Sequence, residues 1–108
     1  GAPVLLPPDA PPGETHAWHL YPIRLAEGAA IGRDALIERL YAEGIGCSVH
    51  YIPLHHQPYW RDRYGLRPEQ FPHSERAWAA MVSLPIYTRM TDADVARVVR
   101  AVRAAVGA

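Results

Sequence analysis

The stretch Cys47-Ser48-Val49-His50-Tyr51-Ile52-Pro53-Leu54-His55-His56 sets one thiol and three imidazoles close together. These are the side chains zinc prefers, and a cysteine beside a histidine is also the starting material of nucleophilic catalysis. The spacing argues against both. In a strand over residues 45–53 the side chains alternate, so Cys47 points with Val49 and Tyr51 while His50 points with Ser48 and Ile52. Cys47 and His50 then cannot share an ion, and the imidazole cannot activate the thiol. The pattern Cys-x2-His-x4-His-His also matches no finger or ribbon spacing. No metal site is therefore expected, and Cys47 reads as a small core residue. For His50, Tyr51 and His55 two uses remain: closing a sheet edge and hydrogen-bonding the following loop, or contacting a ligand. The residues alone leave both open.

The elements that must carry this stretch follow from periodicity and punctuation. Residues 1–15 hold five of the eleven prolines and read as an extended lead-in that cannot pair fully in a sheet, with Gly1 and Ala2 a cloning remnant. Residues 16–25 form a first strand with Ala17, His19, Tyr21, Ile23 and Leu25 on one face, Pro22 marking an edge or a bulge. Leu36, Ile37, Leu40 and Tyr41 define an amphipathic helix over 33–43 that stops at Gly44. After the second strand, residues 54–73 read as a long loop of the functional or mobile kind, with Tyr59, Trp60 and Tyr64 as anchors into the core. Ser74 caps a helix whose Trp78, Met81 and Val82 share a face, and residues 83–87 form a short extended piece. The last helix has Thr91 and Asp94 at capping-box spacing and a stripe of Val95, Val98, Val99, Val102 and Val106. Arg97, Arg100 and Arg103 then form a solvated face. The order β-α-β-loop-α-β-α predicts a small α+β domain with helices on one face of a short, mainly antiparallel sheet.

Composition narrows the function classes. A chain of 108 residues fits one domain and can bury a core without disulfide or metal. Eleven basic residues balance eleven acidic ones, so no field favours nucleic acid or an anionic membrane, and no apolar run is long enough to span a bilayer. A single cysteine and a start without signal-peptide character place the protein in the cytoplasm by expectation. Every basic residue is arginine; the chain contains no lysine.

Three segments carry a resemblance: "HAWHLYPIRL", then "RDALIERLYAEGIGCSVHYIPLHHQPYWRDRYGL", then "FPHSERAWAAMVSLPIYTRMTDADVARVVRAV". In order and spacing they resemble the C-terminal small domain of the DegT/DnrJ/EryC1/StrS family over about residues 4–106. These are pyridoxal-phosphate-dependent aminotransferases acting on nucleotide-linked keto-sugars. The resemblance implies a fold-type-I aminotransferase in which residues 16–108, after the lead-in 1–15, are the small domain that closes over the cleft. It implies an N-terminal large domain of the same protein as partner, a homodimer, and transfer of an amino group, usually from glutamate, to the sugar ketone. It makes His50 and Tyr51 candidates for hydrogen bonds to the sugar nucleotide. His55 belongs to the same substrate-side stretch, with the Pro53-Leu54 turn, and serves more to hold the loop. Tyr59 and Trp60 become surfaces that the large domain covers.

The chain departs from the family at its chemistry. An amine must bond the cofactor aldehyde and shuttle the proton, and arginine cannot be deprotonated to do so. Without lysine the chain has no catalytic residue and is expected to be inactive alone and to bind no cofactor, pyridoxal phosphate being held by the large domain. The other reading is a free-standing binding module of the same fold that has lost the chemistry.

Overall fold

The computed structural model describes residues 2–108; Gly1 and its reading as a cloning remnant lie outside the described residues. Three strands, β1 (Val4–Leu5), β2 (Tyr21–Leu25) and β3 (Met81–Leu84), form one antiparallel sheet in the order β1-β2-β3. The proline-rich lead-in thus joins the sheet, but only through two residues, Val4 opposite Leu25 and Leu5 opposite Arg24. Pro22 sits in the central strand, and the register explains why it is tolerated. Its partner Ser83 spends both its backbone N–H and C=O on Ser48, on the other side of β3, at 2.8 and 3.0 Å. Pro22 therefore occupies a non-hydrogen-bonded pair and turns its donorless nitrogen toward the side where β1 has already ended.

The core lies between the sheet and two helices, α1 (Arg33–Ala42) and α4 (Asp92–Val106). Ile23 and Val82 pair across β2 and β3 and pack with Leu36 and Leu40 of α1, all essentially without solvent contact. Tyr41, predicted on the same helical face, is exposed because the buried stripe is narrower than the sequence pattern. Gly44 follows α1 with φ +71, a conformation that costs glycine little.

In α4 the predicted capping box is present: Asp94 N–H donates to Thr91 Oγ at 3.2 Å and Thr91 N–H to Asp94 Oδ2 at 2.9 Å. The stripe is rotated from the valine pattern. Val98, Ala101, Val102, Ala105 and Val106 are buried, whereas Val95 and Val99 are about half exposed, at 46% and 48%. The alanines shift the contact line because small side chains let the helix approach its neighbour. Two arginines tie the helices: Arg39 Nη1 donates to Ala105 O at 2.8 Å, and Arg97 Nη2 donates to Glu43 O at the end of α1. Arg97, read as part of a solvated face, thus serves the terminal carbonyls of a helix.

Four expected elements change. The first strand begins only at Tyr21, since Trp18 has φ +47 and donates its N–H to His16 Nδ1 at 2.9 Å, a local bond that replaces a ladder bond. The second strand reduces to one bridge, Ser48 opposite Ser83. The loop over 54–73 is mostly helical: a 3-10 turn at Leu54–His56, α2 (Pro58–Tyr64), a second 3-10 turn at Pro68–Gln70, and α3 (Pro72–Ala80). The prolines read there as loop punctuation sit in first helical turns, where a missing N–H costs nothing. Hence α3 starts at Pro72 after Phe71, Ser74 is inside its first turn rather than its cap, and Met81 and Val82 belong to β3 instead of the helix.

Candidate functional site

The stretch from Cys47 to His56 leaves the core, crosses the edge of β3 and turns back under α3. Cys47 is partly buried against the core, and burial pushes its thiol pKa up, which makes it a poor nucleophile. His50 Nδ1 hydrogen-bonds Ser83 Oγ at 3.0 Å, so β3 fixes this ring. Tyr51 follows with its ring edge-on to His50 at 4.8 Å, is 79% exposed, and has no hydrogen-bond partner for its hydroxyl among the described residues. Of the three predicted substrate-side residues, these two lie together on the surface.

His55 lies apart from them. It is only 4% exposed, stacked on Phe71 at 4.8 Å, with Nε2 2.8 Å from Glu75 Oε2. His56 reaches the same oxygen from Nε2 at 2.6 Å and tilts against Trp78. A carboxylate only accepts, so each imidazole donates its Nε2 proton. The His55 bond, then that of His56, holds the Glu75 carboxyl below the usual carboxylate range. This geometry makes His55 a clamp on the turn that carries the exposed stretch. His56 stood out in the sequence only as one of the imidazoles weighed for zinc, and Glu75 did not stand out at all. The available signal was Glu75 three residues before Trp78, on one helical face: a carboxylate beside a large apolar ring needs a partner.

The aromatics of α2 do not anchor the loop. Tyr59, Trp60 and Tyr64 are exposed, Trp60 and Tyr64 stacking on each other at 5.7 Å. A second apolar surface, a shallow cleft between Trp18, Leu84, Ile86, Val95 and Val99, lies against α4. No helix among the described residues is long and apolar enough to cross a membrane.

The chain's own residues do not fit a covalent site for pyridoxal phosphate. The cofactor aldehyde needs a primary amine side chain, and the eleven basic residues are all arginines. No step of that chemistry is assigned to residues of this chain.

Residues 2–103 match the model of the DegT/DnrJ/EryC1/StrS aminotransferase family, and the chain belongs to that family. Protein MJ1066 of Methanocaldococcus jannaschii is 46% identical over 89 residues, 82% of this chain and 23% of the relative. The spore coat polysaccharide biosynthesis protein SpsC of Bacillus subtilis is 39% identical over 103 residues, 94% of this chain and 26% of the relative. Among solved structures, S. venezuelae DesV in complex with a ketimine intermediate superposes with a TM-score of 0.75 at 32% identity, over 94% of this chain and 26% of that one. The chain thus spans about a quarter of the length of the relatives it matches.

Proposed function

We propose that this chain is the small domain of a pyridoxal-phosphate-dependent sugar aminotransferase, closing over a cleft whose cofactor and lysine lie in a large domain. In the full-length homodimer the reaction moves an amino group, with glutamate as donor, to a nucleotide-linked keto-sugar. The observation that carries this reading is the family match over nearly the whole chain, at a quarter of the relatives' length, in a sequence without lysine. A domain that cannot hold the cofactor covalently contributes to such an enzyme by shaping and closing the site. SpsC takes part in polysaccharide biosynthesis by its name, which supports a sugar substrate.

Within this reading, Tyr51 and His50 face the sugar nucleotide, and His55 holds their turn rather than touching the ligand. The exposed Tyr51 hydroxyl is free to donate to a phosphate or a sugar oxygen. The test is Tyr51→Phe in the full-length enzyme, with the two half-reactions measured separately. Loss of one hydrogen bond to a charged phosphate costs about 1.5–3 kcal/mol, so sugar-nucleotide affinity should fall about 10- to 100-fold. The donor half-reaction should be nearly unchanged. Unchanged sugar-nucleotide affinity would remove Tyr51 from the substrate face.

A further inference from the structure

We propose that His55, His56 and Glu75 form a binding site for one divalent transition-metal ion, zinc being the representative, with the two Nε2 atoms and a carboxylate oxygen as ligands. The site does not rest on the aminotransferase reading: it shares His55, which that reading keeps for holding the turn, and uses neither His50 nor Tyr51.

Three observations converge on it. The first is the donor set: two imidazoles and one carboxylate suit a borderline cation such as zinc, cobalt or nickel, and are poor for magnesium or calcium, which prefer oxygen alone. The second is preorganisation. His55 is buried and fixed by its stack on Phe71, His56 is braced by Trp78, and α3 brings Glu75 between them. The third is charge. Glu75 has no arginine within ion-pair distance among the described residues, so with both imidazoles neutral the cluster carries one negative charge facing a partly open surface.

The adjustment needed is small. All three ligand atoms already lie within 4.8 Å of one another. Tetrahedral zinc with bonds of about 2.0–2.1 Å sets neighbouring ligands about 3.3 Å apart, so the widest pair must close by no more than about 1.5 Å and the two short contacts must open slightly. His55 is held, so the motion falls to His56 and Glu75, whose side chains are both partly exposed. In the metal-free cluster each Nε2 carries a proton donated to Glu75. On binding, each neutral imidazole presents its Nε2 lone pair and carries the proton on Nδ1 instead, so charge and protons balance without any further reactant. Three protein ligands leave a fourth position for water or another donor.

Calorimetric titration of the untagged chain with zinc chloride, in a non-chelating buffer at neutral pH, tests the proposal. One zinc per chain is expected, together with a rise in melting temperature because the ion binds only the folded cluster. Cobalt should give ligand-field absorbance of a low-symmetry, nitrogen- and oxygen-bound site. His56→Ala should weaken zinc at least about tenfold, the lower end of what losing even a supporting partner of a metal ligand costs. His19→Ala, on an exposed residue outside the cluster, should leave binding unchanged. Glu75→Gln should behave like His56→Ala; if it fails to fold because His55 loses its partner, the His56 variant decides. Absence of saturable one-to-one binding, or binding that survives His56→Ala undiminished, would overturn the proposal.

Discussion

Replacing His50 with alanine removes the one side-chain partner that a buried hydroxyl has among the described residues. Ser83 is only 4% exposed, and its backbone N–H and C=O are both engaged by Ser48, so its Oγ depends on His50 Nδ1 at 3.0 Å. Leaving a buried polar group unsatisfied costs about 1–3 kcal/mol. Against a total stability of about 5–15 kcal/mol for a domain of this kind, that is a large fraction. At about 4–8 °C per kcal/mol it should lower the melting temperature of the chain clearly. Tyr51→Phe, one residue further on but 79% exposed, should stay within about 0.5 kcal/mol of wild type. Denaturant unfolding of the single variants and of His50→Ala/Ser83→Ala completes the test. If the pair is coupled, His50→Ala should cost less once Ser83 is alanine, with an interaction energy of about 0.5–3 kcal/mol. A cost below about 0.5 kcal/mol for His50→Ala, or additive behaviour in the cycle, would refute the reasoning and leave His50 as a surface residue.

Three further outcomes follow from the fold. Leu40→Ala, at a fully buried position of α1, should cost about 2–5 kcal/mol, as chemical denaturation would show. Thr91→Ala removes the cap of α4 and should cost about 0.5–2 kcal/mol at neutral pH. The hydrogen bonds from the Thr91 side chain, then its backbone, depress the Asp94 carboxyl, so this stabilisation is full above the unfolded carboxylate pKa and is lost as pH falls. The gap between Thr91→Ala and wild type should therefore shrink below about pH 4, measured by thermal unfolding across pH. Borohydride treatment of the chain with pyridoxal phosphate should trap no adduct at an internal side chain, since none is a primary amine; peptide mass mapping that finds one would contradict this.

What the sequence makes legible is governed by local physics. The capping box at Thr91 and Asp94 and the end of α1 before Gly44 depend on neighbours a few residues apart, and both can be read from spacing, whereas the 79% exposure of Tyr51 runs against the strand reading that set it on the face of Cys47. The second strand could not be read in the same way. Residues 45–53 have a strand-like pattern, but the ladder pairs they form depend on β3, a partner that lies more than thirty positions further along the chain. The helices over 54–73 were hidden for a different reason. Pro58, Pro68 and Pro72 break a helix interior yet open a helix at its first turn, and proline alone does not say which. His50 and Tyr51 stood out by type and position. His56 and Glu75 acquire meaning only when α3 folds back over the turn at Leu54–His56, a contact that local pattern does not encode.

The most direct test of the central claim is a single turnover by the full-length enzyme, charged with its amino donor and freed of excess donor, then mixed with a nucleotide-linked keto-sugar. The proposed function predicts that the cofactor's absorbance returns to its pyridoxal form in step with formation of an amino-sugar nucleotide, and that the same keto-sugar without its nucleotide reacts far more weakly. Full turnover with simple 2-oxo acids but none with any nucleotide-linked keto-sugar would contradict the account.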